Sequence, residues 1–422
     1  MRAALLASVA LLTGSGPAAA QVTIPLGASI QAAVNAAPAG TVFNLADGTY
    51  SGQQFQAKSG DQFIGGSGGG TVLNGNGMTS PMLSANGASN VTVSDVTVTN
   101  YQTPSQQGAI HTGAGWQLLN VTAAGNGAAG AYIGGTNNLV SGGSYSNNGQ
   151  EGLAGSFADG SKIIGVTLNN NNAAGAYDPT FEAGGLKITN TNGLTISGSN
   201  AQGNNGPGFW ADLNDQNWTI TGNGAANNTG AGIQYEISHT ATITGNLIAN
   251  NGGSQVYISN SDGTTVSGNG IVAPGTMHGA AEGGGVVLWS NARSDSPTLA
   301  ENDSILNNTI VGPAATTGAF SVVGTQRGNV VSGNTFEAPG AAGEAAAAQT
   351  TRLTVQATPA APVAQQPTAP QTSMAGQFGP QAAGLQAAPE QATPAPASGG
   401  TDPATPQQTA ASAIPDACTF GN

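Results

Sequence analysis

The sequence predicts an all-β solenoid, a single-stranded parallel β-helix, and three observations carry that prediction. The chain repeats itself: WTITGNGAANN, from Trp218, returns as ATITGNLIANN, from Ala241. The pairs Gly222-Asn223, Gly245-Asn246 and Gly268-Asn269 recur 23 residues apart, and such a period marks stacked repeats. Within each copy, short alternating runs such as Thr219-Ile220-Thr221 and Thr242-Ile243-Thr244 have strand character. Each run closes on Gly or Asn, which tolerate left-handed backbone angles. Finally, 66 glycines among many Asn, Thr, Ser and Val residues exclude a helical bundle, and glycine shows no three-residue period that would indicate collagen.

A unit of about 22 residues cannot bury its apolar face alone and must stack coil upon coil. Stacking also aligns the Asn corners, so their amides can form a hydrogen-bonded ladder. At this spacing residues 40–340 hold about 13 coils. Before them, the run SIQAAVNAA reads as a short helix opening at Ser29, with Ile30 and Val34 on one face. It is expected to cap the first coil, and TVFNL with the turn Asp47-Gly48 begins the strands.

The two ends have a different character. Arg2, the apolar residues 3–12 and the small residues Ala18-Ala19-Ala20 before Gln21 read as a signal peptide over residues 1–20. That predicts a secreted protein, extracellular or periplasmic. No stretch approaches the roughly 18 apolar residues of a membrane span. Residues 21–340 form the predicted β-helix domain. Residues 341–422, with runs such as TPAAPVAQQPTAPQT, read as a flexible, disordered Ala/Pro/Gln-rich tail. The one cysteine, Cys418, excludes a disulfide framework and multi-cysteine metal sites. A net charge of −13 with 7 Lys+Arg disfavours nucleic acid as a partner. An acidic polymer would need a local cation or a bridging metal ion.

The string SIQAAVNAAPAGTVFNLADGTY resembles the opening of pectate-lyase-like proteins, and the repeats are similar to the generic β-helix repeat of that superfamily. The resemblance covers roughly residues 29–340 and implies a right-handed coil. It leaves function open, since the fold hosts lyases, hydrolases, epimerases, tailspikes and adhesins.

Aligning three copies on their glycines places candidate site residues face by face. The copies are Gly185-Leu186-Lys187-Ile188-Thr189, Gly208-Phe209-Trp210-Ala211-Asp212 and Gly232-Ile233-Gln234-Tyr235-Glu236. Leu186, Phe209 and Ile233 then share an inward column. Lys187, Trp210 and Gln234 point outward in one file, with Thr189, Asp212 and Glu236 in the next. Coils about 4.8 Å apart make Asp212 and Glu236 neighbours on an exposed sheet, where like charges raise the proton affinity of one of them.

The repeat is interrupted just before this patch. Asn148 to Asn171 is 23 residues, but the next equivalent, Asn204, comes 33 later. The extra residues, near GAYDPTFEAGG, form a loop with Tyr177, Asp178, Phe181 and Glu182. Inserted loops on one side of a solenoid commonly build a binding wall. This one is expected to bring Glu182 beside Lys187, Asp212 and Glu236.

The runs EAGGLK, GPGFWADLND and GIQYEIS resemble a subgroup of exported β-helix proteins presumed to act on polysaccharides, over residues 177–239. Three chemistries fit these residues. A glycosidase would use Asp212 and Glu236 as acid/base and nucleophile, with Trp210 stacked on a sugar ring. A uronate lyase or epimerase would use Lys187 as base, with Glu182, Asp212 and Glu236 holding a Ca²⁺ that neutralises the substrate. A third option is a Ca²⁺- or Lys-bridged staple without catalysis.

Gln234, Tyr177, Asp178, His239 and Trp289 are further candidate contacts to the polysaccharide. His111 and His278 are isolated, without zinc-type spacing. The segment YDPTFE resembles the Asp-Pro-His segment of alginate epimerases, with Thr180 in place of the histidine. The signature residues of polygalacturonases are absent, as is a pectate-lyase arginine in the site. A rival function is a non-catalytic surface protein that binds glycan through the same face.

Overall fold

The computed structural model describes residues 19–66, 68–273, 284–290, 299–312 and 320–337. Nearly all of the expected signal peptide (residues 1–20), the expected tail (341–422), His278 and Cys418 lie outside the described residues. The described residues form three parallel sheets of 13, 12 and 11 strands, each strand pairing with its counterpart one coil away. This is the predicted all-β solenoid, with about 12 turns set by the 12-stranded sheet where the repeat spacing gave about 13. The 13-stranded sheet gains its extra member from Gln21–Ile24, which pairs with Val42–Leu45 from beyond the helix.

The core is a set of columns rather than a centre. Ile163, Ile196, Ile220, Ile243, Val266 and Ile305 stand in register on successive coils. All are buried. The expected inward column Leu186, Phe209 and Ile233 forms in the same way. The helix Ile30–Ala36 starts where the Ser29 hydroxyl accepts from the Ala32 N–H, and it buries Ile30 and Val34 over the first coil. That face is the only part of the helix with apolar side chains large enough to hold it there.

Two asparagine ladders fix the coils to one another. In the first, Asn126, Asn148, Asn171, Asn204 and Asn228 each donate Nδ2 to the Oδ1 of the next, and Asn251 donates to Gln255 Oε1, which takes the last place. In the second, Asn223, Asn246, Asn269 and Asn308 do the same and end on Asn334. The Asn171–Asn204 step spans the ten-residue insertion without a break, so the extra chain leaves the stack entirely as a loop.

A third corner carries a buried acid. Asp303 accepts from the Thr264 N–H at 2.8 Å, and its own N–H donates to Asn329 Oδ1 at 2.8 Å. Burial, helped by the charges of Asp262 and Glu301, raises its pKa from 3.8 to about 7. A raised folded-state value means stability that is full below the unfolded pKa and is lost as pH climbs through about 7. Asp303→Asn keeps the acceptor and removes the titration. It is expected to flatten the fall in stability between about pH 4 and pH 7, by up to about 4 kcal/mol at the alkaline end. Thermal unfolding across that range measures it, and an unchanged pH slope in the variant would rule out Asp303 as its source.

Candidate active site

Eight strands of the 11-stranded sheet build the site face. In order they are Gly108–His111, Ala129–Gly134, Glu151–Ser156, Gly184–Thr189, Phe209–Asp212, Ile233–Glu236, Val256–Ser259 and Val286–Trp289. Their register draws one outward file through His111, Tyr132, Ala154, Lys187, Trp210, Gln234 and Tyr257. The next file runs through Ser156, Thr189 and Asp212, then Glu236, Ser259 and Trp289. The register read from the repeats is therefore the register of the fold.

The exposure of this face differs from the expectation. Asp212 is 8% exposed, while Trp210, Gln234 and Glu236 are each 2% exposed. The reason is partly local. Lys187 Nζ stands 3.8 Å from the centre of the Trp210 ring and 3.0 Å from Asp212 Oδ2. It also donates to the carbonyl of Phe181, whose ring lies 5.3 Å away. Trp210 thus offers no free face for a sugar: the ammonium covers it, a contact favoured by the ring quadrupole. Its Nε1 is buried without a partner.

The two carboxylates expected to act on each other are separately engaged. Asp212 takes Lys187, and Glu236 accepts from Gln234 Nε2 at 2.7 Å. Glu182 is held elsewhere, by the Ser105 hydroxyl at 2.8 Å and by Gln150 Nε2, which also reaches the Glu182 carbonyl. The expected Ca²⁺ trio of Glu182, Asp212 and Glu236 is therefore not assembled. Among the described residues no three His, Cys, Asp or Glu side chains have metal-binding geometry. The residues present do not fit a calcium ion.

The loop of residues 172–183 folds back over earlier coils rather than standing as a wall. Tyr177 donates its hydroxyl to the Gly127 carbonyl, and Asn172 holds Tyr177 at both its N–H and its carbonyl. Asp178 spends one carboxylate oxygen on the N–H and hydroxyl of Thr180, an ordinary turn. His239 lies around the corner on a neighbouring sheet, 2.6 Å from Asp262. Trp289 is half-buried at the far end of the second file, against Tyr257 and Val287.

The residue that sequence reasoning missed is Glu151. It opens the strand before Lys187 and is 1% exposed. Burial pushes its carboxyl well above the usual range; the Lys187 ammonium pulls it down, and Glu182 adds to the rise. Burial likewise raises the phenols of Tyr132 and Tyr177, with Glu151 contributing to both. His111, its ring 5.3 Å from Tyr132, accepts the Gly108 N–H on Nε2. Desolvation lowers its pKa to about 4, so the imidazole is neutral. Extending the glycine alignment one copy back, through QEGLAGS, would have placed Glu151 just ahead of the glycine that matches Gly185.

Beneath the pair, Asp215 sets the backbone. Its buried carboxyl, raised well above the usual range by burial, accepts the N–H groups of Thr191 and Asp212. The corner after the strands adds strain, for Phe157, Leu213 and Ile237 all adopt positive φ. A β-branched residue such as Ile237 is costly in that region.

A family model described as right handed beta helix region matches residues 107–271, the part that holds the site. No curated protein matches the chain by sequence. The A-module of mannuronan C-5 epimerase AlgE6 from Azotobacter vinelandii is similar in structure, with TM-score 0.54 and 18% identity over 74% of this chain and 95% of that one. The AlgE4 A-module of the same organism gives 0.52 and 18%, over 73% and 92%. The Dettilon tailspike protein gives 0.51 and 12%, over 71% and 62%. At these identities the likeness is one of fold: a right-handed, all-β parallel solenoid.

Proposed function

We propose that this chain is a carbohydrate-active enzyme, exported from the cell, that cleaves an anionic polysaccharide at the sheet bearing Tyr132, Glu151 and Lys187. One observation carries the reading: Lys187, one of three lysines in the chain, stands on the strand paired with that of Glu151, a fully buried carboxyl whose pKa burial raises and the Lys187 charge lowers. Environments that set neighbouring titratable groups apart in this way are the usual mark of acid–base chemistry. The folds it resembles include two named as mannuronan epimerases, which is consistent with a sugar polymer as substrate.

The sign of the local charge favours elimination over hydrolysis. A glycosidase passes through a positively charged, oxocarbenium-like state, which an adjacent ammonium opposes. Removing the proton next to a uronate carboxylate builds negative charge, which the ammonium stabilises. In this reading the substrate carboxylate replaces the Phe181 carbonyl on Lys187, and Glu151, buried and with its pKa raised, opposes that negative charge less than an exposed carboxylate would. Glu182 accepts the carbon-bound proton. The bond to the leaving sugar oxygen breaks, that oxygen takes the Tyr132 phenol proton, and the carbon–carbon double bond forms. Transfer through solvent then resets both groups.

Incubation of the purified protein with neutral and uronate polysaccharides tests this. The expected product is an unsaturated uronate, seen by its ultraviolet absorbance. Tyr132→Phe and Glu182→Gln should each lower kcat about a hundredfold or more, with KM nearly unchanged. New reducing ends without that absorbance would replace elimination with hydrolysis. Retained binding without any product would leave a glycan-binding surface protein instead.

A further inference from the structure

The chain turns from the 11-stranded to the 13-stranded sheet at a corner that takes a left-handed backbone. Gly135, Phe157, Asn190, Leu213, Ile237 and Asn260 follow the matched strand ends on successive coils, with φ between 47° and 75°. Glycine and asparagine enter this region at little cost. A phenylalanine does not, because its Cβ crowds the carbonyl that follows. Ile237 is 7% exposed, so packing offsets its strain. Phe157 is 46% exposed and belongs to neither apolar cluster. Strain kept without a full return in packing points to a use outside the fold.

Phe157 borders the face that bears Lys187. It follows Ser156, which pairs with Thr189 one coil on, and its N–H donates to the Thr189 carbonyl. By strand spacing its Cα stands about 10 Å along and about 5 Å across from that of Lys187. Past the corner the chain reaches Lys162, exposed at the start of Lys162–Ile164 on the 13-stranded sheet. Two of the three lysines thus stand on the two sheets that meet at this ring. Phe181, 64% exposed, puts a second ring 5.3 Å from Lys187 Nζ. The C–H face of a sugar ring is apolar and packs on an aromatic ring, while uronate carboxylates are drawn to the ammonium groups. The separation exceeds one sugar ring, so a polymer can meet Lys187 and Phe157 together and a single sugar cannot.

We infer that Phe157 is a stacking platform for a sugar unit of the anionic polymer beyond the unit at Lys187, and that the polymer crosses the corner toward Lys162. The inference rests on the proposed uronate substrate and concerns binding rather than the chemical step. Binding of polymannuronate and polygalacturonate to the full chain tests it, with thermal unfolding followed on the same samples. Phe157→Asn installs the residue that the same corner carries at Asn190. It should weaken binding of the polymer about tenfold and leave the unfolding midpoint no lower than in the natural sequence. Phe157→Trp keeps a ring and should hold the affinity within about twofold. An unchanged affinity in Phe157→Asn would overturn the platform, as would an equal loss in both variants or no binding of either polymer by the natural sequence. Product formation is scored separately. If binding depends on the ring but no unsaturated product forms, the platform stands and the catalytic reading falls; if product forms and the ring has no effect, the reverse holds.

Discussion

Lys187→Met is expected to lose both turnover and stability, and the two losses should separate when Asp212 is changed as well. The methionine has similar length but cannot pair with the carboxylate at 3.0 Å, which is 8% exposed. Removing one partner of a largely buried pair leaves an uncompensated charge and costs about 3 kcal/mol or more. In Lys187→Met/Asp212→Asn that charge is gone, so most of the lost stability should return. Activity should not return. If Lys187 stabilises the negative charge formed in the proposed reaction, kcat/KM stays about a thousandfold or more below that of the natural sequence in both variants. If the double variant regains activity, Lys187 serves only to neutralise Asp212. Thermal unfolding and initial rates on one preparation of each variant decide between these roles.

The sequence reached the architecture because the features that encode it are local and repeated. A 23-residue step, a Gly or Asn at each corner and a single apolar residue per strand together determine coil length, bend and inward face. The insertion was equally legible, as a 33-residue step in an otherwise regular ladder. The outward files followed from the same alignment, so Lys187, Asp212 and Glu236 were placed on strands of one sheet, as they are in the fold. What the alignment could not supply was the direction of long side chains across that face. Lys187 turns over the Trp210 ring to reach Asp212 on the next coil, and the tryptophan is buried. Glu182 turns the other way, to Ser105 and Gln150, and the expected calcium trio dissolves. Glu151 escaped notice because its coil has Ala154 where the next has Lys187, so it does not look like part of the charged patch. Burial, which raises its proton affinity, cannot be read from the residues of its own strand.

The ladder beneath the site should prove as important to the proposed activity as the charged groups above it. Asn204 is fully buried and makes four hydrogen bonds. Its Oδ1 accepts from the N–H and Nδ2 of Asn171, and its Nδ2 donates to Asn228 Oδ1 and the Leu168 carbonyl, both at 2.8 Å. Asn204→Ala strands the Asn171 N–H and the Leu168 carbonyl, while Asn228 Oδ1 keeps the Asn204 N–H and Asn171 Nδ2 keeps the Tyr145 carbonyl. At about 1–3 kcal/mol for each unsatisfied buried group, partly relieved by relaxation, the expected loss is about 4 kcal/mol. Because coils contact only their neighbours, the damage should stay at this junction and divide unfolding into two steps. Asn308→Ala, in the last described turns, should cost less and leave one transition. The junction also carries the Lys187 strand, since a Cβ on Gly185 would lie 3.0 Å from Asn204 Nδ2. Loss of Asn204 should therefore lower kcat even at temperatures where the protein remains folded. A single, unshifted unfolding transition in Asn204→Ala would mean that water fills the gap and that the ladder is not what holds the coils in register.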